Sequence, residues 1–259
     1  MEILGYLGAL LIGLVLGLTG GGGSMLTVPV LTYLLHINPV TATAYSLFIV
    51  GTTSVVGAIH NYQKKLVDVK NGIIFAIPSF IGVYLTRKFL VPLLPDVIFQ
   101  NEWMTLSKGS FLMLLFAVIM LFASYSMLKA KETSEQPKEV SLFTLLIQTF
   151  FIGVLIGFVG AGGGFLIIPT LVLFAHLSMK KAIGTSLFVI SMNSLIGFLG
   201  DVQNLEIDWK FLLSFTLVSI AGIFIGTYLN KFINEKQLKK GFAYFVLAMA
   251  VFILFKEML

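Results

Sequence analysis

Two glycine clusters are the residues of this 259-residue chain best placed to do chemistry. Gly20-Gly21-Gly22-Gly23-Ser24 and Gly160-Ala161-Gly162-Gly163-Gly164 interrupt apolar sequence just before two short apolar runs, Met25 to Leu35 and Phe165 to Ala175. A helix that starts inside a membrane exposes backbone N–H groups without partners. Together with the helix dipole they attract negative charge and need no charged side chain. Glycine lets such a backbone approach a ligand closely or take a positive φ. The chemistry on offer is therefore anion binding, set against a plainer role in which small residues let helices pack. Gly13-x-x-x-Gly17 and Gly153-x-x-x-Gly157 have the spacing of packing faces.

The next segments are unexpectedly polar. At helical spacing Ser46, Thr53, Gly57 and His60 fall near one face, and Ser186, Asn193 and Gly197 repeat the arrangement. Neutral hydroxyls and amides facing a cavity hydrogen-bond an oxyanion at little cost when the site is empty. The competing use is bonding between helices or back to the helix's own carbonyls. Ser46, Ser186, Thr53 and Asn193 are thus candidate substrate contacts, and His60 is a candidate gate at the end of its span. Arg87, the single arginine, has the forked geometry that suits an oxyanion and is a candidate exit residue. Snorkelling to the headgroups is its commoner fate. His36 and His176, at the ends of the short runs, read as capping residues.

Other chemistries lack their residues. Scattered histidines with no cysteine or carboxylate beside them make no metal site, no cofactor is implied, and no P-loop, Ser-His-Asp or HExxH signature is present. Every acid maps outside or at the edge of the apolar segments, which disfavours coupling through a buried carboxylate.

Composition names the elements that must hold these residues. With 58% hydrophobic and 11% charged residues and a mean hydropathy of +0.99, the chain reads as an integral membrane protein. Eight runs have about the length of a spanning helix: Ile3 to Leu18, Val40 to Ile59, Gly72 to Leu90, Phe111 to Leu128, Leu142 to Phe158, Ala182 to Leu199, Phe211 to Leu229 and Phe242 to Phe255. No barrel-type alternation appears. The first run has Glu2 where a signal peptide has basic residues, and its counterpart lies mid-chain, so it reads as a retained span. Zero cysteines exclude disulfides and thiolate chemistry. The net charge of +5 sits in short loops and reflects topology, not nucleic-acid binding.

The glycine motif belongs to a longer repetition. From Gly13 to Gly82 the chain aligns without gaps to Gly153 to Gly222, an offset of 140, with about 21 of 70 positions identical. Each half holds five segments. Twelve lysines gather on one side of the membrane, against Arg87, Lys88, Lys108, Lys210 and Lys256 on the other. That places the first side in the cytoplasm and both termini outside. An odd segment number makes the second half enter from the opposite face, so the duplication is inverted. Repeat 1 covers residues 1–128, a cytoplasmic linker 129–141, and repeat 2 residues 142–259. Val91 to Lys108, with Trp103, is an external loop or a lid. Each short segment either spans fully or forms a re-entrant hairpin with the helix before it.

The paired motifs Gly17 to Pro29 with Thr43 to Gly57, and Gly157 to Pro169 with Gly184 to Gly197, resemble the TauE/SafE family of bacterial membrane anion transporters. The resemblance covers essentially the whole chain. It implies a secondary transporter, an exporter, of sulfite or an organosulfonate such as sulfoacetate across the inner membrane. The expected fold is an all-α integral membrane protein of two inverted five-segment halves, with the small anion and the lipid bilayer as partners. Self-association is left open. Rival readings are an anion channel or uptake permease, and a non-transporting membrane assembly subunit.

Overall fold

A computed structural model describes residues 2–101, 104–129, 142–173 and 175–258. Trp103 and residues 130–141 of the expected linker lie outside the described residues. The chain is a multi-pass all-α membrane protein, and the described residues form ten helical segments: α1 (Glu2–Thr19), α2 (Gly22–Leu34), α3 (Pro39–Gln63), α4 (Val69–Leu93), α5 (Lys108–Lys129), α6 (Leu142–Val159), α7 (Gly164–Leu173), α8 (Met179–Asp201), α9 (Trp209–Phe232) and α10 (Glu235–Met258). Of these, α3, α4, α5, α8 and α9 are long and apolar enough to cross a membrane. Large apolar side chains such as Phe122, Phe143, Leu217 and Phe255 remain outside, as they do where hydrocarbon is the solvent.

Local sequence sets the helix ends. Asp68 and Asp208, matched across the offset, accept the Asn71 and Phe211 N–H groups at the starts of α4 and α9. Asn38 caps α3 ahead of Pro39. Beyond the short helices, His36 (φ 56°) and His176 (φ 52°) both take the left-handed conformation that stops a helix. The segment Val91 to Lys108 is no simple loop. α4 runs on to Leu93, and an antiparallel hairpin of β1 (Val97–Asn101) and β2 (Met104–Ser107) follows.

The helices interlock across the two halves through backbone contact at glycines. A Cβ on Gly13 of α1 would lie 1.8 Å from the Ser219 carbonyl oxygen of α9, and one on Gly153 of α6 would lie 2.0 Å from that of Ser79 in α4. In the reverse sense Gly222 faces the Leu10 carbonyl at 2.2 Å and Gly82 the Phe150 carbonyl at 2.4 Å. Partners in each pair of contacts differ by the same offset, so α1 packs on α9 as α6 packs on α4. Hydrogen bonds follow suit: Asp68 N–H donates to the Thr185 hydroxyl (2.9 Å) and Asp208 N–H to the Tyr45 hydroxyl (2.7 Å). Between these pairs α3 and α8 cross at the centre, where Gly51 meets Leu195.

Candidate anion site where two glycine loops meet

The first short helix folds back on the helix before it. Gly5 of α1 faces Leu35 and Gly8 faces Val30, so α1 and α2 form an antiparallel hairpin with the glycine loop at its tip. Both tips lie inside the protein. Residues 20–24 and 160–164 are all buried, and a Cβ on Gly164 would stand 2.2 Å from the Gly21 Cα. The loops thus touch each other in the interior.

The two tips are finished differently. In the first, the Thr19 hydroxyl accepts the Gly22 N–H (2.8 Å) and the Ser24 hydroxyl donates to the Gly21 carbonyl (2.6 Å). Val159 and Gly164 occupy the matched places in the second. There the chain turns on three left-handed glycines, Gly160 (φ 68°), Gly162 (φ 63°) and Gly163 (φ 71°), whereas the first tip has Gly20 alone (φ 72°). The N–H groups of the opening turns of α2 and α7 therefore point into one buried region from two directions.

The polar residues expected around the loops divide into two groups. Ser186 donates to the Gly20 carbonyl at 2.9 Å and braces the first tip. Its counterpart Ser46 is fully buried with no hydrogen-bond partner. Thr53 and Asn193 instead tie helices together: Thr53 donates to the Ser219 hydroxyl (3.2 Å), and the Asn193 amide nitrogen to that of Ser79 (2.5 Å). The Asn193 carbonyl oxygen stays without a partner. Ser54 and Ser194, a matched pair that sequence reasoning passed over, are also buried with unpartnered hydroxyls, and a Cβ on Gly162 would lie 2.8 Å from Ser194 Oγ. Their signal was identity across the offset at a polar position within apolar sequence, as it was for Ser79 and Ser219.

Arg87 does not snorkel. Its side chain has no solvent exposure, because α4 continues past it to Leu93 and the second glycine tip closes over it. Nη1 donates to Thr43 Oγ1 at 3.1 Å and lies 3.5 Å from Asp201 Oδ2. Nη2 would stand 2.1 Å from a Cβ on Gly160, and both Nη2 and Nε lack partners. Asp201 corrects the expectation that acids keep out of the interior: it is 6% exposed and faces Arg87 at the end of α8. His60 sits at the opposite end of the bundle, hydrogen-bonded to Lys64 and edge-on to Phe224, away from both loops.

The buried region gathers helix N-termini, unpartnered hydroxyls and one guanidinium inside a multi-pass helical bundle, and the comparisons make that bundle a membrane transporter. The family model for the sulfite exporter TauE/SafE matches residues 5–253, and the chain belongs to that family. It is 29% identical over 255 residues to a probable membrane transporter protein of Xylella fastidiosa, covering 95% of this chain and 92% of that one. It is 27% identical over 235 residues to the probable membrane transporter protein YdhB of Bacillus subtilis, covering 89% and 91%. No solved structure matches.

Proposed function

We propose that the chain is a secondary transporter that exports a small sulfur oxyanion, sulfite or an organosulfonate, across the bacterial cytoplasmic membrane. The observation that carries this reading is the buried contact of Gly21 with Gly164. It brings the start of α2 and the start of α7 to one place, where two helix dipoles favour a single anion, although the Gly22 N–H is already given to Thr19. Ser46, Ser54 and Ser194 add unpartnered hydroxyls nearby in the same core. The Arg87 guanidinium at the second tip, paired with Asp201 through Nη1, offers its unpartnered Nη2 and Nε as further donors. The sulfur identity is drawn from the family, that of the sulfite exporter TauE/SafE. Outward movement suits an inside-negative membrane, where each 100 mV is worth about 2.3 kcal/mol per charge. With the lysine-rich end cytoplasmic and both termini outside, the halves are inverted, and alternating access is their relative motion.

Purified protein in liposomes, loaded with labelled sulfite, tests the reading. Wild-type flux saturates. Removing a buried hydroxyl that has no partner costs little stability, so Ser46→Ala with Ser194→Ala folds normally yet raises the half-saturating sulfite concentration about tenfold, the equivalent of about 1.4 kcal/mol. Unchanged saturation in that double variant would remove Ser46 and Ser194 from the site. Flux that never saturates would make the protein a channel.

A further inference from the structure

At the end of the bundle opposite Arg87, a cavity of about 150 Å³ is lined by Lys64, Lys180 and Lys231 with Asn61, Thr227 and Asn230. Gly17, in the last turn of α1, forms part of its floor, so it lies just behind the first glycine tip. The lysines come from three elements: Lys64 follows α3, Lys180 opens α8 and Lys231 ends α9. Among the described residues no acid lines the cavity. Among the described residues the salt bridge is Arg87 with Asp201, and none of the three lysines is in one. Asp68, close by in sequence, spends its carboxylate on Asn71 at the start of α4. The contacts these lysines make bring no negative charge: Lys64 is hydrogen-bonded to the His60 ring, and Lys231 lies over the Tyr228 ring at 5.4 Å.

We propose that Lys64, Lys180 and Lys231 form an anion-accepting cup that takes oxyanions of net negative charge and turns away zwitterionic aminosulfonates. Three ammonium groups around one small cavity concentrate anions by their summed field. The same field repels a second ammonium carried by the ligand, because there is no carboxylate to receive it. Asn61, 6% exposed, lines the cavity beside the lysines; its amide gives one N–H to the Gly57 carbonyl and keeps a second for a sulfonate oxygen, while Thr227, whose hydroxyl donates to the Ile223 carbonyl, shapes the wall. Partial burial, and then the charge of Lys231, push the Lys64 ammonium below its ordinary value, as expected where cations are crowded without a counter-ion. This deepens the transport reading: the cup is the mouth through which the anion reaches the loops.

Isethionate and taurine, which differ by a hydroxyl in place of an ammonium, make a matched pair of probes. The full-length protein is labelled with an amine-acylating reagent at constant ionic strength, each lysine is followed by mass spectrometry, and its labelling is referred to that of free Nα-acetyl-lysine in the same tube, which corrects for reagent consumed by the taurine amine. The expected result is protection of Lys64, Lys180 and Lys231 by isethionate at concentrations at least tenfold below those of taurine, with Lys129 and Lys256 unaffected. Equal protection by both probes, or none by either, would overturn the proposal. In sulfite-loaded liposomes, K64Q/K180Q/K231Q is expected to raise the half-saturating concentration about tenfold with maximal flux within twofold of wild type. Wild-type protein that moved no sulfite would instead remove the transport reading, while the labelling experiment would still decide the cup.

Discussion

At one end of the bundle Lys64, Lys180 and Lys231 line an open cavity; at the other, Arg87 is sealed against Asp201 without solvent contact. The two ends are built from matched positions. Asn61 corresponds to Asp201, Thr227 to Arg87, Lys64 to Asn204 and Lys231 to Val91. The surrounding packing repeats from one half to the other, down to the carbonyl that each glycine meets. The charges do not. A repeated scaffold thus presents the same backbone surfaces at both ends, and a few substitutions decide which end stands open. The cations at the open end repel one another and stay wet, whereas the cation at the closed end is held by one carboxylate, one hydroxyl and the glycine tip.

That contrast is broken most severely by Asp201→Ala. It strands a buried guanidinium, and breaking a buried pair from one side costs about 3–5 kcal/mol. Replacing both partners by apolar residues, Arg87→Met with Asp201→Leu, is expected to recover more than half of the loss in thermal unfolding of the purified protein. A double variant no better than the single one would mean that Arg87 is held by Thr43 and the loop alone.

A smaller effect tests the sameness of the scaffold. Gly13→Ala and Gly153→Ala each push a methyl into a carbonyl of the facing helix and are expected to cost about 1–3 kcal/mol apiece, alike in both halves. Gly241→Ala, where a Cβ meets nothing within 4 Å, is the control and loses nothing. A large cost in one half only would show that the reciprocal contacts carry unequal weight. The smallest effect is at the helix stops. His36→Gly and His176→Gly relieve a left-handed residue, and a net gain of about 0.5 kcal/mol each is expected after the added flexibility of the unfolded chain is counted. Loss of stability at either site would reveal a side-chain role for that histidine.

Much of this architecture is written in local sequence. The ten segments, the glycine tips and the capping roles of His36 and His176 follow from apolar runs and from residues whose chemistry acts within one turn. The pairing of Arg87 with Asp201 does not, because the two are far apart in the chain and neither has a charged counterpart at the matched position. The same reason hid the lysine cup, whose members come from three separated helix ends. Thr53 and Asn193 show another limit. Helical spacing places them on one face, but a face is shared by neighbouring helices and a cavity, and here Ser219 and Ser79 take the hydroxyl and the amide nitrogen. The hairpin after α4 is too short for alternation to announce it.

The glycine contacts also bear on how the protein is made. Gly13 rests on Ser219, about 200 residues further along the chain, and α1 has its closest helix partner there. At about 5–20 residues per second, the ribosome needs roughly 10–40 s after α1 emerges before α9 exists to receive it. Through that interval the small-residue face of α1 has only lipid or the insertion machinery to lie against, and α6 can settle on α4 as soon as it is synthesised. The second interlock therefore closes first. The amino-terminal hairpin is seated on α9 only after that, although it is synthesised before either partner of the second interlock.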